Sequence, residues 1–484
     1  MRRERRSFGR ATRAVALVLA LLGAWTGVAA PAHAHGVLRR SNPAEGARLA
    51  TVPRELRLTF SERVELALAR LQLIGPDLAP VALGPLRLAA DSSQVLVAGI
   101  RGGLVAGTYT VAWQVAGADG HPVRGRYSFV IAPGARGLVG PSAPGRAPPP
   151  SARYDRASVS TESGFDAESP LYIAVRWLTF VGILGVIGAA TFRFAVLPLV
   201  RKRGTPPGVA VLDTATAGAA RLGLLAAGVV MGAAVPRLLA QSAALHGGRG
   251  PLDAGLIATM LTRTVWGWGW WLQCVGGLLA LAGFVLARKR GRRAVETRTG
   301  WMLVAVGATV LAFSPALSGH AASVRTGMAL AVLADGIHVL GAGGWLGGLL
   351  FVVAAGIPAA MRLEEGTRGR AVAALVDAFS PTALVFAGLV AATGVITAGL
   401  HLGSIPALWQ SAYGRTLLLK LAVLSTVFGT GGYNWLRVRP GLGHGSGMER
   451  LRRTATVELA VGALVLAVTA VLVATATPSV AGGR

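Results

Sequence analysis

The sequence predicts a chain of two unlike parts: a small all-β domain, a sandwich or Greek-key barrel, followed by a polytopic α-helical membrane domain of about eight spans. Three observations predict it. Between residue 35 and about residue 132, apolar and polar side chains alternate with the period of half-buried strands. From Leu171 onward come apolar runs, each long enough to cross a hydrocarbon core. The 484-residue chain is 53% hydrophobic and only 14% charged, which is too apolar for a soluble protein.

The N-terminus reads as a targeting segment. Arg2, Arg3, Arg5, Arg6 and Arg10 precede an apolar stretch from Ala14 to Ala30, and Ala32-His33-Ala34 supplies a small-x-small cleavage pattern. Residues 1–34 are thus expected to be a signal peptide, and cleavage after Ala34 makes His35 the first mature residue. An uncleaved anchor helix is the alternative. In the β-domain, residues 35–133, strands are expected at Leu56–Phe60, Val64–Ile74, Gln94–Ile100, Thr108–Val115 and Arg126–Ile131. Asn42-Pro43, Gly75-Pro76, Gly102-Gly103 and Asp119-Gly120 punctuate them as turns. Residues 134–168 carry Pro141, Pro144, Pro148, Pro149 and Pro150 among Gly, Ser and Ala, the composition of a semi-extended linker.

Within the membrane domain, residues 169–478, the apolar runs lie near 171–199, 217–244, 265–287, 301–319, 328–358, 380–402, 415–436 and 456–476. Loops after the odd-numbered spans are basic: Arg201-Lys202-Arg203, then Arg288 to Arg293, then Arg362, Arg368 and Arg370, then Arg437, Arg439, Arg452 and Arg453. Cytoplasmic loops collect Lys and Arg, and an exported β-domain puts the start of the first span outside, so the two signals agree. The expected location is the cytoplasmic membrane, multi-pass, with lipid around the spans and the β-domain on the extracytoplasmic side. The same clustering explains the formal charge of +27 without nucleic acid as a partner, since no basic stripe with interleaved aromatics exists. Thr264-Val265-Trp266-Gly267 and Ser411-Ala412-Tyr413-Gly414 open spans three and seven, a short hint of parallel repeats that chance similarity of apolar helices also explains.

One cysteine, Cys274, excludes intrachain disulfides and thiolate clusters. Histidines carry more information. His33 leaves with the signal peptide and His444 lies in a basic loop. His246, His320 and His401 end spans two, four and six, all on the outer side, where ordinary interfacial histidines also occur. His338 sits roughly 15 Å into span five from that side, at 1.5 Å per residue, and Asp335 lies one helical turn away on the same face. A carboxylate and an imidazole in the apolar zone are costly unless paired or functional. In the β-domain a free His35 offers amine and ring nitrogens, and Asp119 and His121 form a D-x-H pair that alone also reads as an Asx-capped turn. Nitrogen-rich ligation with one carboxylate suits Cu(II), while Zn(II) or Ni(II) also fit.

Four stretches, His35-Gly-Val-Leu-Arg-Arg-Ser-Asn-Pro-Ala-Glu-Gly, Leu56-Arg-Leu-Thr-Phe-Ser-Glu62, Gly107-Thr-Tyr-Thr-Val-Ala-Trp113 and Asp119-Gly-His121-Pro-Val-Arg-Gly, resemble the CopC family of periplasmic copper-binding proteins. Ala334-Asp335-Gly-Ile-His338, Gly344-Trp345-Leu-Gly-Gly348 and Ser411-Ala-Tyr413-Gly414-Arg415-Thr-Leu-Leu-Leu-Lys420 resemble CopD, so the chain resembles a CopC–CopD fusion from end to end. The resemblance implies a cupredoxin-like, immunoglobulin-like Greek-key barrel and Cu(II) held by His35, Asp119 and His121. It implies copper transport, as uptake, along a membrane path that includes His246, His320, Asp335, His338 and His401. An extracytoplasmic copper chaperone or a reductase is a candidate partner. No methionine lies between Ile74 and Leu96, which argues against thioether ligation of Cu(I) in the β-domain. No Walker motif occurs, and no enzymatic constellation stands out. Two rival readings stay open: a haem-binding electron-transfer protein, disfavoured because only His338 is deep, and a copper buffer or sensor that does not transport.

Overall fold

The computed structural model describes residues 38–61, 63–116, 122–137, 168–246, 252–288, 294–319, 321, 327–434, 436 and 447–475. The expected signal peptide, most of the linker, and His35, Asp119, His121 and His320 lie outside the described residues.

Alternation along the first hundred residues builds a β-sandwich. One sheet has the order β1 (Leu38–Asn42), β3 (Glu55–Phe60), β7 (Ser92–Gly99), β6 (Arg87–Ala89). The other has the order β2 (Arg48–Thr51), β9 (Pro122–Arg136), β8 (Gly107–Ala116), β4 (Arg70–Ile74), β5 (Pro80–Val81). Each strand turns alternate residues inward: Leu56, Leu58 and Phe60 from β3 meet Leu73, Val111, Trp113, Phe129 and Ile131 of the facing sheet in one core. Tyr109 stacks on Phe129, and its hydroxyl donates to the Val105 carbonyl (3.0 Å) and accepts from the Val105 N–H (2.9 Å), fixing the loop that enters β8.

One expected strand is divided. The run from Val64 to Ile74 alternates, yet Leu66–Leu68 forms a single 3-10 turn and only Arg70–Ile74 pairs as β4. The Glu65 N–H bonds the Ala116 carbonyl (2.9 Å) at the end of β8, and the turn then points Leu68 out of the sandwich core into a second apolar cluster. The alternation is real, but it serves two different cores.

Among the described residues, eight helices are long and apolar enough to cross a membrane: α1 (Pro170–Arg203), α2 (Pro206–Leu245), α3 (Val265–Arg288), α4 (Thr297–Leu317), α5 (Met328–Ala360), α6 (Glu365–Leu402), α7 (Ala412–Tyr433) and α8 (Arg450–Ala474). Leu225, Leu384 and Val395 are among the large apolar side chains left exposed on their surface, as expected of a face turned to lipid. Small residues let the helices approach: a methyl group added at Gly188 of α1 would lie 2.3 Å from the Gly347 backbone of α5.

Two local features recur between the first four helices and the last four. Both α1 and α5 contain a π-turn directly before a proline, at Phe192–Val196 before Leu197-Pro198 and at Val352–Gly356 before Ile357-Pro358. Both α3 and α7 start on a hydroxyl that caps two residues ahead of a tryptophan or tyrosine. Thr264 Oγ1 accepts from the Gly267 N–H (3.0 Å) and donates to the Met260 carbonyl (2.6 Å). Ser411 Oγ accepts from the Gly414 N–H (2.9 Å) and donates to the Ala407 carbonyl (2.6 Å).

Candidate metal site and the domain junction

The β-domain is seated on the helical bundle at the end where α2 finishes. Leu68 and Ala116 of the sandwich pack with Leu245, Met260 and Trp266 in one buried cluster. Met260 belongs to a short helix, Ala254–Arg263, between α2 and α3. The last carbonyls of a helix lack intrahelical donors, and here adjacent strands supply them. Gln114 Nε2 donates to the Leu245 carbonyl (2.5 Å), and Arg124 Nη2 donates to the Ala244 carbonyl (3.3 Å). Gln114 and Arg124 are direct partners in the β8–β9 ladder, and a guanidinium at a helix C-terminus also complements the helix dipole.

This seat lies at one particular end of the sandwich. Leu38 at the start of β1 pairs with Phe60 at the end of β3. The Phe60 ring meets Trp113 edge-on, with centroids 5.1 Å apart. Ala116 and Pro122 close the β8–β9 ladder. His35 lies three residues before Leu38, and Asp119 and His121 lie between Ala116 and Pro122. The described ends of every segment leading to those three residues are therefore gathered at the seated end. Gly125 follows from the same packing: it faces Trp113 across the ladder, and a Cβ there would sit 2.4 Å from the indole.

His246 is the last residue of the helix Leu212–His246, one residue beyond the carbonyl bonded by Gln114. On the other side of the bundle, α5, α6 and α7 bring together a second group. His338 Nδ1 lies 3.0 Å from Thr393 Oγ1 of α6. The Thr393 hydroxyl is also 2.6 Å from the Leu389 carbonyl and 3.3 Å from that of Val390; with its proton on either of them, Thr393 accepts from Nδ1–H and Nε2 of His338 keeps the lone pair that a metal needs. Asp335 lies within electrostatic range of Lys420 and Tyr413 of α7, and the Tyr413 ring stands edge-on to His401, centroids 6.2 Å apart. Among the described residues no three His, Cys, Asp or Glu side chains converge as a ready metal cage. Thr393, Tyr413, Lys420, Gln114 and Arg124 are not among the residues that sequence reasoning assigned to the site. Lys420 and Arg124 lie inside motifs quoted above, whereas Thr393 gives no signal in sequence.

Family models match the chain in three places: the CopC domain over residues 38–132, copper resistance protein D over 373–472, and the copper resistance protein D-like N-terminal domain over 166–330. The chain is 25% identical to the copper transport protein CutJ of Bacillus subtilis (strain 168) over 448 residues, 92% of this chain and 75% of that one. Protein YobA of Escherichia coli (strain K12) is 33% identical over 100 residues, which are 79% of its length and 21% of this chain. Copper resistance protein C of Escherichia coli is 35% identical over 117 residues, 87% of its length and 22% of this chain. The chain belongs to the CopC–CopD fusion family. As a CopC–CopD protein it is a multi-pass membrane protein concerned with copper; the CopC segment covers the sandwich, and the two CopD segments cover the helical bundle except for residues 331–372, which include most of α5. The CopC segment ends within β9, and the two CopD segments cover α1 to α4 and α6 to α8.

Proposed function

We propose that the chain captures Cu(II) outside the cytoplasmic membrane through His35, Asp119 and His121, and passes copper inward through the membrane domain. In this reading the signal peptide is removed after Ala34, so that the amine and ring of His35 both bind. The single observation that carries the proposal is the seat itself. The sandwich end that gathers Leu38, Ala116 and Pro122 rests on Leu245, beside His246. Capture and entry are then neighbours, and copper reaches the bundle without free diffusion.

From the outer mouth, with His246, His320 and His401 at helix ends, the path leads to His338 and Asp335. With the Thr393 proton on a helix carbonyl, Nε2 of His338 is a ligand for the metal, and the Asp335 carboxylate offsets the charge of the cation. The β-domain has nitrogen and carboxylate donors and no thioether, which favours Cu(II) there. Passage as Cu(I) would call for a reductase or a chaperone as partner. The basic loops lie at the opposite helix ends, which supports an extracytoplasmic β-domain and copper import.

The test is Cu(II) titration of the full chain and of residues 35–137, followed by electron paramagnetic resonance, with copper uptake into cells measured beside it. The expected result is one tight tetragonal Cu(II) per chain, lost in His121→Ala and on adding residues before His35. Uptake should be lost in His338→Ala with the β-site intact. Binding indifferent to His121 and to the N-terminus sinks the capture site. Unchanged uptake in His338→Ala sinks the path.

A further inference from the structure

The membrane path proposed above has a cation built into it. Lys420 of α7 is half-buried, and it stands seven residues after Tyr413 and seven before Val427, both buried, so it shares the inward face of that helix. Its depth matches that of the path residues on α5. In the proposed orientation α5 and α7 both run inward from the outer side. Asp335 and His338 lie seven and ten residues after Met328, and Lys420 lies eight after Ala412. All three therefore sit roughly 10–15 Å below the outer helix ends, at 1.5 Å per residue. Lys420 is within electrostatic range of both Asp335 and His338.

An ammonium and a carboxylate in the apolar zone are each costly alone, and together they compensate. A copper ion that reaches Nε2 of His338 meets the ammonium as a like charge, and the two cations compete for one carboxylate. Copper has His338 as a second ligand, whereas the ammonium is tethered by a flexible four-carbon stem and can swing aside. Exchange of one cation for the other keeps Asp335 neutralised throughout. The competition also weakens copper binding enough for the ion to leave, as conduction through a site demands. The fold itself does not call for a charge at this depth. Thr264 caps α3 as Ser411 caps α7, and nine residues after Thr264 stands the neutral Gln273, where Lys420 stands nine after Ser411.

We propose that Lys420 is a tethered competitor of copper: its ammonium neutralises the Asp335 carboxylate while the path is empty, gives way when copper binds at His338, and returns as copper leaves. This inference rests on the proposed path through Asp335 and His338. Lys420 makes no bond to copper; it acts through Asp335 and sets how long the ion stays.

The experiment uses the full chain carrying His121→Ala, so that copper bound in detergent reports the membrane site. Equilibrium binding of radioactive copper is measured as Cu(II) and, with ascorbate present, as Cu(I). Initial rates of uptake are measured in cells that express the chain with His121 in place. Lys420→Gln should tighten copper binding about tenfold or more, the effect of removing one like charge beside a cation. It should also lower both KM and kcat of uptake, because release slows. Lys420→Met should do the same and serves where the glutamine variant fails to fold. Lys420→Arg keeps the charge and should bind copper as the parent chain does. A lysine that only props the helices would instead give weaker binding, and lower uptake with no fall in KM. The two ways to fail are separable. If no copper binding is lost in His338→Ala, the path itself falls and this inference with it. If binding depends on His338 but is unchanged or weaker in folded Lys420→Gln or Lys420→Met, the path stands and the competitor role is overturned.

Discussion

Replacing Gly125 by alanine should destabilise the β-domain out of proportion to one methyl group. The added Cβ would lie 2.4 Å from Cζ2 and 2.7 Å from Cε2 of Trp113, against an ordinary carbon–carbon contact of about 3.5–4.0 Å. The indole must therefore move by about 1 Å or more. It has little room to do so, because Trp113 is 8% exposed and sits edge-on to Phe60 at 5.1 Å. Overpacking of this kind costs about 1–3 kcal/mol, and loss of the aromatic geometry adds about 0.5–1 kcal/mol. The expected loss is about 2–3 kcal/mol. The assay is equilibrium urea unfolding of residues 35–137 followed by far-ultraviolet circular dichroism. Trp113→Phe on the Gly125→Ala background should recover part of the loss, since the smaller ring leaves space. A loss below about 0.5 kcal/mol, or no recovery in the double variant, would refute the view that this pair shapes the end of the β8–β9 hairpin.

Three further outcomes are expected. Removing Gln114 and Arg124 together by alanine should expose the Ala244 and Leu245 carbonyls and raise hydrogen exchange across Ala254–Arg263, as read by mass spectrometry of the full chain. Thr393→Val should weaken copper at His338 by about 10–100-fold, the usual effect of losing a ligand's orienting partner, whereas Thr393→Ser should retain it in uptake assays. Burial pushes the Glu65 carboxyl above its ordinary value, opposed by the Arg63 charge. The folded state therefore holds the proton more tightly than the unfolded state, and the group's contribution to stability falls as pH rises from 4.5 through the folded value. Glu65→Gln should accordingly raise the unfolding midpoint of the full chain near neutral pH and change it little at pH 4.

The sandwich and the eight spans were legible because each rests on periodicity or length within a short stretch. β3 alternates, and its three inward residues form the core as expected. The apolar runs became helices because only a helix satisfies all backbone groups within a single segment in lipid. The π-turns and hydroxyl caps turn the weak repeat at Trp266 and Tyr413 into shared local structure. The seat was not legible. Leu68 and Ala116 meet Leu245 and Trp266 across more than a hundred residues, and local patterns carry no trace of such a contact. The same gap explains Leu66–Leu68, whose alternation reads as a strand because only the second core, made by another domain, shows that Leu68 points the other way. Lys420 left a signal: a basic residue inside an apolar run, where a charge is expensive. Thr393 left none, because a threonine within a helix is ordinary until His338 is placed beside it.

The central claim is that the copper-capturing end of the sandwich rests beside the outer mouth of the bundle. Pulsed dipolar spectroscopy measures it most directly, between Cu(II) loaded into the β-domain of the full chain and a nitroxide attached through His246→Cys on a Cys274→Ser background. The five residues between Ala116 and Pro122 can reach at most about 18 Å, and Ala116 packs against Leu245. A single narrow distance within about 20 Å is the predicted result. A broad distribution, or a distance well beyond that reach, would contradict the account.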